Sequence, residues 1–235
     1  MRLPSVLSVL AAGLCLAACQ PAHDDASFDA KVKAYLMSHP EELRDALLNM
    51  QTKQQDDQTQ AALPTLRTAL EHDPRDFVAN PNGKVTVTEF YDYRCPHCIN
   101  MASQVVALIR TQPNVRFVFK EMPIFGSTSD YAARAALAAK AQGKDYVGLY
   151  EAFMSTRPLT DQDVDRLATA KGIDLAAIKT PEAIAKDQAQ LDDTNKLASK
   201  LDIDGTPGFI VGDTVIRGED TKGLADAIAA AEHKA

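Results

Sequence analysis

Four residues in the middle of the chain, Cys95-Pro96-His97-Cys98, constrain the fold more than any other feature. They follow a run of β-branched and aromatic residues, Val85-Thr86-Val87-Thr88-Glu89-Phe90-Tyr91, which reads as a strand. They open a stretch, Ile99 to Ile109, whose apolar spacing is helical, and Val115-Arg116-Phe117-Val118-Phe119 reads as a second strand. Strand, helix and strand make a βαβ unit with a parallel pairing. The cysteines therefore sit where a strand hands over to a helix N-terminus. A thiol there faces unpaired N–H groups and the positive end of the helix dipole, and both favour the thiolate. Pro96 supplies a helical φ and lacks the N–H that a first helical position can spare. Cys98 lies one turn on, within reach of Cys95. His97 adds a positive charge or a hydrogen bond beside them.

The chemistry that follows is thiol–disulfide exchange. Cys95 attacks or is attacked, a mixed disulfide forms, and Cys98 resolves it. Stabilising the Cys95 thiolate favours the dithiol, which makes the disulfide form a strong oxidant. Three blander readings stand beside this one: a structural disulfide, a zinc site and an inert buried pair. A structural disulfide needs neither a helix N-terminus nor an interposed Pro-His. Zinc needs four ligands, and His39, His72, His97 and His233 show no ligand spacing.

The rest of the chain limits the alternatives. With 235 residues, 46% hydrophobic, there is material for a large core, which excludes disorder throughout. A net charge of −7 argues against a nucleic-acid partner. The N-terminus, MRLPSVLSVLAAGLCLAACQ, has a short positive start and an apolar run too brief and broken for a membrane span, so residues 1–18 read as a secretory signal. Leu16-Ala17-Ala18-Cys19 resembles the bacterial lipobox. That resemblance implies lipid on Cys19, an anchor in a membrane facing the periplasm, and loss of Cys15 with the signal. Gln20, where an Asp would argue for the inner membrane, points to the outer one. Ordinary cleavage and a soluble protein is the alternative. Either way Cys95 and Cys98 remain as the free pair of an oxidising compartment.

Residues 19–27 read as a tether, and 28–76 as a helical region. Apolar positions recur at Phe28, Val32, Tyr35 and Leu36, then at Leu43, Leu47 and Met50, with a break at Ser38 and Pro40. Residues 51–60 carry no large apolar side chain and are either a solvated helix face or a linker. Pro64 is expected to kink or restart a helix. The apolar stripe either folds back on the main domain or pairs with the same stripe in other subunits. The turn Asn80-Pro81-Asn82-Gly83 marks the separation from this region, and residues 77–235 form the main domain. Within it about 129–200 is a helical insertion, with a capping box at Thr160-x-x-Asp163 and an N-cap at Thr180 before Pro181. Gly208–Val211 and Thr214–Arg217 form a hairpin around Gly212-Asp213, and Leu224–Glu232 closes the chain as a helix.

Glu89-Phe90-Tyr91-Asp92-Tyr93-Arg94-Cys95-Pro96-His97-Cys98 resembles the active-site strand and helix start of DsbA-type proteins of the thioredoxin superfamily. Gly205-Thr206-Pro207-Gly208-Phe209 resembles the cis-proline loop of that family, and Lys120-Glu121-Met122-Pro123-Ile124 its segment after the second strand. Tyr35-Leu36-x-x-His39-Pro40-Glu41 is similar to the ScsC-like branch, whose N-terminal helices build trimers. The resemblance implies an α/β, thioredoxin-like fold with a helical insertion subdomain, preceded by an N-terminal helical extension. It implies Cys95 as nucleophile, Cys98 as resolving thiol, and Pro96 and His97 as the dipeptide that tunes the thiolate. It makes Glu89 a buried acid that relays the Cys98 proton, and Pro207 a cis residue at the sulfurs. The Thr206 backbone would pair with an extended substrate. It implies no cofactor beyond the redox-active disulfide, and no metal. Its partners would be unfolded or misoxidised exported proteins, a membrane redox partner and, through the lipid, the membrane; a homotrimer is the implied assembly. Direction stays open: the Cys-Pro-His-Cys dipeptide is that of an oxidase, while Thr206 and the N-terminal stalk resemble isomerase and reductase members. Two further readings are a copper-handling redox module, since the branch is linked to copper tolerance and Cu(I) favours thiolates, and a structural lipoprotein using the fold as a scaffold.

Overall fold

A computed structural model describes residues 25–234. The expected signal segment, Cys19 and most of the tether lie outside them. The described chain forms two compact units that divide between Met50 and Gln51. In the first, α1 (Asp25–Ser38) is followed by the start of α2 (Pro40–Glu71). α1 begins three residues before the expected end of the tether, because Asp25-Ala26-Ser27 contains no helix breaker. The break expected at Ser38 and Pro40 is present, with Pro40 as the first residue of α2. Phe28, Val32, Tyr35, Met37, Leu43, Leu47, Leu48 and Met50 are exposed.

The second unit contains the rest of α2 and the whole sheet. α2 runs unbroken through residues 51–60 and through Pro64, against the expected kink or restart. Proline at this place removes one backbone donor. The helix persists because its last turns are held by packing: Leu63 and Leu70 are fully buried, each contributing about 1.5–3 kcal/mol. The Thr59 hydroxyl also donates to the Leu201 carbonyl at 2.8 Å. The domain start expected at residue 77 thus falls earlier in the structure, inside α2.

The strands are β1 (Phe77–Ala79), β2 (Val85–Tyr91), β3 (Val115–Glu121), β4 (Gly208–Val211) and β5 (Thr214–Arg217), in the order β1-β3-β2-β4-β5. β2 and β3 are parallel, with Glu89 opposite Phe119 and Tyr91 opposite Glu121. The other pairings are antiparallel. α3 (Pro96–Thr111) crosses between β2 and β3. α4 (Ser127–Ala141), α5 (Tyr146–Ser155), α6 (Asp161–Ala170) and α7 (Pro181–Lys200) form the insertion, and α8 (Thr221–Glu232) follows the β4–β5 hairpin. Thr160 and Asp163 make the capping box, and the Thr180 side chain caps α7.

Strand alternation sorts the side chains into two cores. Val87, Tyr91, Phe117 and Phe119 face one layer with α3, α5 and α8. Phe90 and Ile210 face the other, with Leu63 and Leu70 of α2 and Leu197 and Leu201 of α7. Glu89 and Glu121 share the parity of Tyr91, so both carboxyls enter the α3 layer. Lys120, of opposite parity, pairs with buried Asp76 and donates to the Ala69 carbonyl near the end of α2 at 2.6 Å. At the turn into β2, a Cβ on Gly83 would stand 2.6 Å from the backbone nitrogen of Arg116, which leaves room for glycine alone.

Candidate active site

The site is built where β2 ends. Asp92, almost fully buried, holds the turn that delivers Cys95 to the helix. Its Oδ1 accepts from the Arg94 N–H at 2.6 Å and the Ser129 hydroxyl at 2.8 Å. Its Oδ2 accepts from the N–H groups of Ile124 and Phe125 at 2.7 and 2.9 Å. One carboxylate therefore clamps the active-site turn, the segment after β3 and the start of α4.

Cys95 is the N-cap of α3 and Pro96 opens the helix. Its thiol donates to the Thr206 carbonyl at 3.1 Å. The Cys98 thiol, the Thr206 side chain and the N–H groups of Cys98 and His97 all favour the Cys95 thiolate. Against the opposing effect of burial they hold its pKa down at about 5. Cys98 is fully buried. Burial, then the neighbouring Cys95 and the charge of Glu89, push its thiol well above the ordinary range.

Glu89 lies under Cys98 with no exposed surface. Burial drives its pKa up to about 8, the Tyr150 hydroxyl opposes this by donating to it at 3.2 Å, and the charge of Glu121 adds to the rise. Glu121 is a second buried acid, also raised by burial to about 8. Its Oε1 accepts from Tyr91 at 2.6 Å and Tyr146 at 2.5 Å. The Tyr91 hydroxyl in turn lies 2.9 Å from that of Tyr93, and its ring meets that of Tyr150 edge-on at 5.2 Å. The floor of the site is thus two acids and four tyrosines.

The Thr206–Pro207 bond is cis and brings Thr206 to Cys95. A cavity of about 330 Å³ opens there, between Ile203, Thr206, Pro207 and Arg217. On the other side of the helix start, a cavity of about 260 Å³ is lined by Tyr93, Pro96, Ile99, Arg157 and Leu159. His97 is exposed, and its Nδ1 lies 3.0 Å from Glu219 Oε2.

All the sequence-derived site residues within the described chain, Glu89, Cys95, Pro96, His97, Cys98, Thr206 and Pro207, come together here. Cys19 lies outside the described residues. Reasoning from sequence missed Asp92, Glu121, Tyr150 and Glu219. A carboxylate ending each of two apolar strands was the available sign for Asp92 and Glu121. Nothing local marks Tyr150 or Glu219, which lie 61 and 122 positions from their partners.

The arrangement offers a nucleophile ionised at neutral pH, a second sulfur held protonated, an acid beside it that titrates near neutrality, and an extended loop against the first sulfur. Those are the parts of reversible disulfide exchange.

The DSBA-like thioredoxin domain family matches residues 86–229. A thioredoxin-like oxidoreductase from Silicibacter pomeroyi is 39% identical, covers 72% of this chain and 99% of its own, and superposes with a TM-score of 0.64. ScsC of Proteus mirabilis is 25% identical, over 90% of this chain and 98% of its own, with a TM-score of 0.66. The thiol:disulfide interchange protein DsbA of Bordetella pertussis is 27% identical over 137 residues, 55% of this chain. The match spans 64% of that relative's length. With the family match covering more than half of its length, and the thiol pair, buried acid and cis-proline loop assembled in one site, the chain belongs to the DsbA-like thioredoxin domain family.

Proposed function

We propose that the protein is a thiol–disulfide oxidoreductase of the bacterial periplasm that donates disulfides to exported proteins. The observation that carries this is the opposed treatment of the two sulfurs: Cys95 is stabilised as thiolate while Cys98 is kept protonated. A stable Cys95 thiolate favours the dithiol form and so makes the disulfide an oxidant. In the forward reaction a substrate thiolate attacks Cys95 Sγ and the Cys95–Cys98 bond breaks. The electron pair leaves on Cys98, which takes a proton from Glu89. A second substrate thiolate then attacks the substrate sulfur of the mixed disulfide, and Cys95 departs as thiolate. The substrate leaves with a disulfide and the protein holds a dithiol, which a membrane redox partner reoxidises. The Thr206–Pro207 loop, with the cavity beside it, receives the extended substrate segment.

The lipobox-like Leu16-Ala17-Ala18-Cys19 supports an anchor in the outer membrane. None of the described helices is long and apolar enough to cross a membrane. The exposed apolar residues of α1 and early α2 support self-association as a trimer. They also support a second reading, an isomerase or reductase held reduced by its partner, since an assembly is bulky for an oxidase's recycling enzyme.

Acid trapping and thiol alkylation in intact cells separate the two. A mainly oxidised Cys95–Cys98 pair supports the disulfide donor, and a mainly reduced pair supports the isomerase. A pair inert to dithiothreitol and glutathione sinks both. Sedimentation of the lipid-free protein tests the trimer, and a monomer across the micromolar range overturns it.

A further inference from the structure

The histidine between the two cysteines does not stand free over the site. Its Nδ1 donates to Glu219 Oε2 at 3.0 Å, and the same oxygen accepts from the Asn100 side-chain amide, one turn along α3, at 3.1 Å. Glu219 is itself placed by the loop that carries the cis proline. The preceding Gly218, at φ 76°, donates its N–H to the Pro207 carbonyl at 2.8 Å. Asp220 turns away to cap α8 by accepting from the Gly223 N–H at 2.7 Å. Glu219 therefore reaches from the proline loop to the first turn of α3 and holds two of its side chains through one oxygen.

We propose that Glu219 is a positioning residue for thiol–disulfide exchange, which fixes the imidazole of His97 beside Cys95 and holds its charge there to higher pH than a free histidine keeps it. This rests on the reading of Cys95 as the exchanging thiol. The groups facing the imidazole are few. Glu219 comes from the segment before α8, and the Cys95 sulfur from its own turn. Lys222 is engaged by Asp226, and Arg94 reaches to the Phe125 carbonyl. The Glu219 hydrogen bond raises the His97 pKa; burial opposes it, and the charges of Cys95 and Glu219 add to the rise. The sign follows directly. An ordinary histidine loses its proton near pH 6.5, so without Glu219 the charge beside the Cys95 thiolate fades across neutrality. With Glu219 it persists to higher pH. An imidazolium beside Cys95 favours the dithiol form, so Glu219 sustains oxidising power as pH rises.

The test uses Glu219→Gln, which keeps an acceptor oxygen and removes the charge, and Glu219→Ala, which removes both. The reduced protein is titrated by NMR on the His97 ring, with His97→Gln to assign the signal. The equilibrium with glutathione is measured in parallel at pH 5.5 and 7.2. The expected result is a His97 midpoint that moves down in Glu219→Gln. The glutathione equilibrium should shift roughly two- to fivefold towards the disulfide form at pH 7.2, the range of an exposed ion pair, and not at pH 5.5. In a His97→Gln background the Glu219 substitutions should have no further effect. A His97 midpoint unmoved in Glu219→Gln overturns the proposal. So does an equal shift at both pH values, which is what a merely structural contact would produce. A wild-type protein that does not exchange with glutathione would remove the functional reading instead, and the NMR titration would still judge Glu219.

Discussion

The two sides of the active site use the same side chain and treat it in opposite ways. Cys95 sits at the lip, where helix N–H groups, the Cys98 thiol and the Thr206 side chain converge on its sulfur. Cys98, three residues on, sits on the floor, enclosed by Glu89, Tyr150 and the α3 layer. Relative exposure does not distinguish them, because both residues are almost wholly covered. What differs is the polarity of the cover: donors surround one sulfur and a buried acid, Glu89, lies under the other. Burial by itself raises a thiol pKa, and at Cys95 directed donors reverse it.

The sharpest way to break this contrast is to remove each sulfur in turn. Cys95→Ser should abolish exchange with glutathione or a reduced substrate. Cys98→Ser should leave the attack intact and stop resolution, so that a mixed disulfide accumulates. Non-reducing gels and mass spectrometry of the trapped adduct read both outcomes. Trapping through Cys98 in the Cys95→Ser variant would reverse the assignment of lip and floor.

Next in size is the proton on the floor. Glu89→Gln keeps an acceptor for the Tyr150 hydroxyl but cannot carry the Cys98 proton. Attack of Cys98 on a mixed disulfide at Cys95, the reverse of its departure in the donor reaction, passes the Cys98 proton to Glu89 and should slow by about a hundredfold, the low end for a lost acid–base group. In the wild type the rate should rise as Glu89 ionises through about pH 8, whereas in Glu89→Gln that inflection should vanish. Stopped-flow rates from pH 6 to 10 decide it. A variant with an unchanged inflection would move the proton transfer to another group.

Much of this was legible in the sequence, for reasons that differ by element. β2 and the β4–β5 hairpin were found at their observed limits, because β-branched runs and the Gly212-Asp213 step are local signals. The caps at Thr160 and Thr180 were legible for the same reason. β1 was missed: three residues carry too little periodicity, and the strand exists through its pairing with β3. Pro64 misled because the packing that overrides it comes from Leu63 and Leu70 against a sheet the local pattern does not contain. At the site, Cys95, Pro96, His97 and Cys98 are contiguous, and Thr206-Pro207 is a recognisable pair. Asp92 sits inside the same motif, yet its four donors come from Arg94, Ser129 and the segment after β3, two of these elements far along the chain.

The second buried acid tests whether the floor is costly as a whole or only beneath Cys98. Glu121 has a pKa of about 8 against an ordinary value of 4.5. The folded state therefore holds a proton that the unfolded state has lost, and stability falls as pH rises from about 4.5 to 8 and then levels. Glu89 contributes a fall of the same sign in the same window. Denaturant titrations at pH 6 and 9 should show the wild type losing several kcal/mol, and Glu121→Gln losing about 2 kcal/mol less. Equal losses in the two proteins would mean that Glu121 is ionised throughout and held by its tyrosines.

The smallest expected effect is on the lip. The Thr206 hydroxyl is buried without a hydrogen-bond partner, and its side chain favours the Cys95 thiolate. Thr206→Val keeps the shape and the backbone carbonyl that accepts from Cys95, and removes only that hydroxyl. The Cys95 midpoint, followed by thiolate absorbance, should rise from about 5, and by less than the removal of the Cys98 thiol raises it, since that thiol contributes more. Stability should be unchanged or slightly higher, because the valine leaves no polar group buried without a partner. A Cys95 midpoint unmoved in Thr206→Val, with one that rises in Cys98→Ala, would assign the lip's donors to α3 alone. A rise in both would make the proline loop part of the same electrostatic device.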